Sequence, residues 1–176
     1  MKVSVFSLFM FLVFFSFAQK PLAYSFNLPI EIQKKRNFEK RSTEWLQKQN
    51  AHITKIDKDT IWAVGSINFN NTVVYSKSRT FNRIYREQSN GKIAFNIKLY
   101  VEKKQLTVAL NQFKHQPKMK FDNLNFGLIT DGPNPPKETI NMTNQAYSTK
   151  VWELMKENIG NYTNSINDSS NNMVSK

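Results

Sequence analysis

Lys92-Ile93-Ala94-Phe95-Asn96-Ile97-Lys98-Leu99-Tyr100-Val101 decides the architecture. Ile93, Phe95, Ile97, Leu99 and Val101 fall on one face of an extended chain, and Lys92, Ala94, Asn96, Lys98 and Tyr100 on the other. Such an unbroken period of two is the pattern of a strand with one face in a core. On its N-terminal side stands Asn90-Gly91, the dipeptide that best tolerates the positive φ angles of a tight hairpin turn. The expected partner is therefore a strand over 79–88, with Tyr85 opposite Asn96, Ile84 opposite Ile97, Arg83 opposite Lys98 and Phe81 opposite Tyr100. On the C-terminal side, a two-residue loop at Lys103-Lys104 would pair Leu106 with Val101, Val108 with Leu99 and Leu110 with Ile97. Apolar meets apolar there, although Lys-Lys is poor chemistry for a primed turn.

Outward from this centre, 52–57, 60–69 and 105–114 read as further short strands, and an extended stretch begins at Thr72. Leu22, Tyr24, Phe26 and Leu28 alternate with smaller or polar residues before Pro29, which marks a half-buried strand. Between about Ile32 and Gln49 the period changes: Phe38, Ser42, Trp45, Leu46 and Gln49 share one helical stripe, flanked by charges. A second helix carries Tyr147, Val151, Leu154, Met155, Asn158, Ile159 and Tyr162 on one stripe, with Gly160 as its expected stop. Residues 115–142, with four prolines and two glycines, should form a long ordered connection. The order is strand, helix, a run of antiparallel strands, helix. It describes an α+β layer fold with both helices packed on one face of the sheet.

Residues 1–18, MKVSVFSLFMFLVFFSFA, carry one charge at Lys2 and an apolar and serine run from Val3 to Phe17. Ser16 and Ala18 suit a signal-peptidase cut before Gln19, so 1–18 is expected to be a signal peptide. The run is 15 residues, short of the ~20 needed to span hydrocarbon. Domain limits are then 19–162 for a single domain and 163–176 for a loose Asn- and Ser-rich tail. The expected location is periplasmic or secreted, in a Gram-negative bacterium. After cleavage, 24 basic side chains face 13 acidic ones, formally +11. With no Cys, the chain has no disulfide framework, thiolate metal site or thiol nucleophile. A chain of this size can bury ~70% of its unfolded surface without such staples.

Several segments resemble a known family: Glu44-Trp45-Leu46 near a helix end, the Ala63-Val64-Gly65-Ser66 strand, the hairpin from Ile93 to Phe113, Phe113-Lys114-His115, the later Gly-Pro loop and the Trp152 helix. The chain looks like a bacterial domain of unknown function with a TATA-binding-protein-like (TBP-like) fold, found in exported proteins of Bacteroidota-type bacteria, over about residues 22–160. It departs from that family at Lys103-Lys104, where Asp-Gly is more usual, and around 72–80. The resemblance implies a curved antiparallel sheet with helices on its convex side, and it implies no catalytic residues.

Chemistry is concentrated in charge. Between Lys77 and Lys120 stand 11 basic residues and two acidic ones. By the register above, Phe81, Arg83, Tyr85, Asn96, Lys98 and Tyr100 would share the face away from the core, a candidate ligand-binding set. Cations interleaved with rings suit polyanions, which offer phosphate or sulfate to Lys and Arg and bases or sugars to the rings. The same pattern also serves solubility and blocks edge pairing on exposed sheets. His52 and His115 lie 63 positions apart and form no metal motif. Asp57 and Asp59 flank Lys58 at a turn, Ser66 lacks a nucleophile elbow around it, and no phosphate-binding glycine loop occurs. Trp45 and Trp152 read as core. Asn70, Asn141, Asn161 and Asn167 open N-x-Ser/Thr triplets.

The expected function is an exported, non-enzymatic binding or interaction module with a partner, protein or glycan, in the cell envelope and no cofactor. The alternative is polyanion binding, to nucleic acid or acidic glycan, through the basic aromatic face. A hydrolase using His115 with a carboxylate is the third class.

Overall fold

A computed structural model of the chain describes residues 19–29, 37–118, 124–135 and 145–175. The expected signal peptide lies outside the described residues, as do Asn141 and the first residues of the expected 32–49 helix. The elements, in order, are β1 (Ala23–Pro29), α1 (Phe38–Lys48), β2 (His52–Asp57), β3 (Thr60–Phe69), α2 (Arg79–Ser89), β4 (Gly91–Glu102), β5 (Gln105–Pro117) and α3 (Gln145–Ser175). The strands form one antiparallel sheet in the order β1-β5-β4-β3-β2. The fold is α+β with an open, curved sheet.

The alternation of β4 partitions the molecule as its sequence demands. Ile93, Phe95, Ile97 and Leu99 are buried, while Lys92, Asn96 and Lys98 are exposed. α1 and α3 pack on the apolar face, where Phe38, Trp45 and Leu46 of α1 and Val151, Trp152, Met155 and Ile159 of α3 close a single core. Truncating one of its large rings, such as Phe95, would cost about 3–5 kcal/mol. The β4–β5 register is the expected one, Val101 opposite Leu106, Leu99 opposite Val108 and Ile97 opposite Leu110. Lys103-Lys104 does form the two-residue turn, and Lys103 takes the required positive φ of 55°.

A bulge then changes the phase of β5. The register slips by one residue between Ala94 and Asn96, and Gln112 sits in the left-handed region with φ 55°. Such an extra residue re-aims everything after it. Phe113 and His115 consequently point into the core and are fully buried, whereas an uninterrupted strand would have turned them to solvent. Past the bulge β5 stays paired with β4, while the edge that β1 leaves at Asn111 is taken by the following loop: Ile129 N–H donates to the Phe113 carbonyl (2.7 Å) and His115 N–H to the Gly127 carbonyl (2.8 Å). The connection after β5 is thereby tied down, and its Leu124, Phe126 and Ile129 are buried.

Two expectations fail. Residues 79–88 form no strand; Arg79–Ser89 is a helix, begun by Ser78, whose side chain accepts from Phe81 N–H. Asn82, Tyr85, Arg86 and Ser89 face inward, and they are held by polar contacts. Asn82 Oδ1 accepts from the Tyr75 and Ser76 amides, and Arg86 donates to the Thr72 and Val73 carbonyls. Phe81 and Ile84 point outward, 55% and 39% exposed. Phe81, Ile84 and Tyr85 stand at helical spacing, but two of the three face solvent and the inner stripe is polar, so the period marks no core face. Asn90-Gly91 is accordingly no hairpin turn. Asn90 caps α2 with φ −65° and ψ 143°, and Gly91 opens β4 where a Cβ would overlap the Gln116 carbonyl.

The second failure is the stop at Gly160. α3 passes through it and continues to Ser175, with Thr163, Ile166 and Ser170 buried. The tail expected over 163–176 is helix to Ser175 because α1 holds it: Trp45 Nε1–H donates to Ser169 Oγ (3.2 Å).

Candidate functional site

The face opposite the helices carries the candidate site. Registers place its residues in rows across the sheet. One row runs Lys55, Trp62, Lys98, Ala109 and Ser25 through β2, β3, β4, β5 and β1. The next runs Asp57, Thr60, Tyr100, Thr107 and Asn27. Trp62 is the centre of the charge chemistry: Lys55 Nζ lies 4.8 Å and Lys98 Nζ 5.9 Å from its ring centroid. Lys98 Nζ also stands 4.9 Å from the Tyr100 ring. Two ammonium groups over one half-buried indole restrain the ring by cation–π attraction. Their aliphatic stems shield its edges.

Amides surround this patch. Asn96 Nδ2 donates to Gln112 Oε1 (2.9 Å), and Thr107 Oγ1 donates to Asn27 Oδ1 (2.9 Å). Lys55 also reaches Asp57 (3.7 Å) across an exposed pair, which contributes little in water. Towards the other end of the strands the face deepens into a cleft of about 500 Å³ between Asn68, Asn70, Lys92, Gln116 and Lys118. Six residues of β4 separate Lys98 from Lys92, a run of about 20 Å at strand rise.

Of the six candidate residues, the sheet brings Asn96, Lys98 and Tyr100 together and separates Phe81, Arg83 and Tyr85 from them. The latter three ride on α2. Tyr85 turns inward against Tyr75 and Tyr147, with ring centroids 4.1 and 5.6 Å away, and Arg83 lies 3.9 Å from Glu87 one turn on. The place expected of Arg83 opposite Lys98 is taken by Trp62, and that of Phe81 opposite Tyr100 by Thr60. Trp62 and Lys55 escape sequence reasoning because 21 residues of helix and loop intervene between β3 and β4. The alternation of Trp62, Val64 and Ser66 against Ile61, Ala63 and Gly65 was the available signal.

His115 is withdrawn from solutes. Its ring is fully buried; Nε2–H donates to the Ser89 carbonyl (2.9 Å) and Nδ1 accepts from Phe126 N–H (3.2 Å). Burial pulls its pKa from 6.5 to about 4, against a smaller upward push from the Ser89 carbonyl. The imidazole is therefore a neutral structural clamp between α2, β5 and the following loop. His52 lies on the opposite face of the sheet. Burial likewise raises the Tyr147 hydroxyl, whose oxygen accepts from Asn71 Nδ2 (2.6 Å). Among the described residues no group of three His, Asp or Glu is placed to hold a metal ion, and no helix is long and apolar enough to cross a membrane.

No family model and no curated protein matches the sequence. Among solved structures, the chain is similar to a TBP-like protein from Parabacteroides distasonis, with a TM-score of 0.51 at 11% identity, covering 86% of this chain and 94% of that one. The fold is TBP-like. A DUF4468 family protein from Bacteroides ovatus is similar at a TM-score of 0.41 and 14% identity, over 80% of this chain and 84% of that one. At such identity a TBP-like fold leaves the ligand to be argued from the side chains.

Proposed function

We propose that the chain is an exported, non-enzymatic binding module that holds an extended acidic glycan on the open face of its sheet. The observation that carries this reading is Trp62 lying on the solvent face between Lys55 and Lys98. An indole and a phenol offer flat apolar surface to the C–H face of a sugar ring. Lys55, Lys98, Lys92 and Lys118 supply point charges to carboxylate or sulfate along the run, and Asn96, Gln112, Asn68 and Gln116 offer amides to hydroxyl groups. Lysine ammoniums without arginine forks suit dispersed anionic groups better than bidentate phosphate recognition. Export favours a glycan over nucleic acid as the polyanion the chain meets.

Trp45 and Trp152 are buried on the helix side, which leaves Trp62 as the tryptophan that a polymer on the open sheet face can reach. Titration with heparin as the probe should change tryptophan emission saturably, and Trp62→Phe should abolish the change. Affinity should fall with salt, with a slope of about −3 in log K against log salt if three or four lysines are neutralised. An emission change that persists in Trp62→Phe, or a salt-independent affinity, contradicts the proposal.

A further inference from the structure

A second cavity lies on the other side of the molecule, between α1 and the last turns of α3. Its volume is about 330 Å³, near the lower end of small-molecule sites at roughly 300–1,000 Å³ and too small for a polymer. Arg41 lines it, and Arg41 Nη1 is buried with no hydrogen-bond partner. Lys48, two turns along α1, also lines it. Among the described residues neither cation is ion-paired; Glu44, the one acid in the lining, pairs with neither. A buried guanidinium N–H without an acceptor is costly, and because Arg41 borders the cavity and has no ion-pair partner among the described residues, an anion drawn against its guanidinium would offset that cost.

The remaining wall is already set. Trp45 Nε1 and Gln49 Nε2 both donate to Ser169 Oγ (3.2 and 3.4 Å), and the Ser169 hydroxyl donates its own hydrogen bond to the Ile166 carbonyl (3.0 Å). Ser169 is thus saturated, so it fixes the walls and leaves the arginine as the open donor. Met173 completes the lining with an adaptable apolar surface beside the Trp45 indole. Two cations against one carboxylate leave one net positive charge, next to apolar wall.

We infer that this cavity is a binding site for a small organic monocarboxylate, its carboxylate on Arg41 and its apolar body against Trp45 and Met173. The site is independent of the sheet face. Bound there, such a ligand would cross-link α1 to the end of α3, beside the Ser169 hydrogen bonds that already join them. Benzoate is the probe, with benzylamine as a cation of similar shape, each titrated into the full chain while the indole N–H resonances are followed by two-dimensional NMR. Benzoate should shift the Trp45 indole N–H saturably and benzylamine should not. Arg41→Gln should weaken benzoate at least about tenfold, with Arg41→Lys in between, because lysine keeps the charge and loses the fork. Both variants should keep the wild-type heparin response, which separates this site from the sheet face and reports an intact fold. Absence of a saturable benzoate shift, an equal response to benzylamine, or unweakened binding in Arg41→Gln would overturn the inference.

Discussion

Lowering the pH should destabilise this protein through His115. Folded, the imidazole stays neutral until about pH 4 because the core will not solvate its charge, and Nδ1 is occupied as the acceptor of a hydrogen bond from Phe126 N–H. Unfolded, it takes up a proton near 6.5. Between those values the unfolded chain binds more protons, so stability is present above 6.5 and is lost progressively as pH falls towards 4. One pKa unit is worth about 1.4 kcal/mol, which makes the loss between pH 7 and pH 4.5 about 2.5 kcal/mol from this residue. That is a sizeable share of the 5–15 kcal/mol typical of a domain. Urea denaturation of the wild type and of His115→Gln at the two pH values isolates the effect, since the carboxylates are common to both. The wild type should lose about 2.5 kcal/mol more than the variant over this window. Equal losses in the two proteins would show that His115 is charged or wet in the folded state, and would refute the assignment of its tautomer and role.

Backbone substitutions test the geometry that holds the face in place. Lys103→Gly should stabilise by about 0.5–1 kcal/mol in thermal unfolding, because φ 55° is strained for lysine and free for glycine; an unchanged or lower Tm would contradict the turn. Gly65→Ala should destabilise by about 1–3 kcal/mol, since its Cβ would stand 2.6 Å from Phe95 Cζ. Phe95 has nowhere to go, with Phe113 and Tyr162 at centroid distances of 5.2 and 5.3 Å. Wild-type stability in that variant would place Phe95 elsewhere.

What could be read from the sequence was whatever a simple period encodes. The alternation of β4, the register against β5, and the stripes of α1 and the first half of α3 are all patterns of apolar side chains meeting one core, and each is found as expected. The failures share one physical cause. α2 and the end of α3 turn polar stripes inward, Asn82-Arg86-Ser89 and Thr163-Ser169-Ser170, so the inner face of each carries no apolar run to mark it. Asn90-Gly91 misled for a related reason: the glycine answers a close approach of Gln116 backbone rather than a turn. Half of the candidate face survived because Asn96, Lys98 and Tyr100 sit on the one strand whose phase was secure. Trp62 and Lys55 were lost with the register that α2 interrupts.

Charge reversal at equal cost in net charge gives the most direct test of the sheet face as the ligand site. Lys55→Glu with Lys98→Glu removes both ammonium groups from Trp62, whereas Arg79→Glu with Arg83→Glu changes the same number of charges on α2. Elution from immobilised heparin should move to much lower salt for the first pair and only slightly for the second. Equal displacement by the two pairs would mean that the chain is held by its overall positive charge and that the Trp62 face recognises nothing.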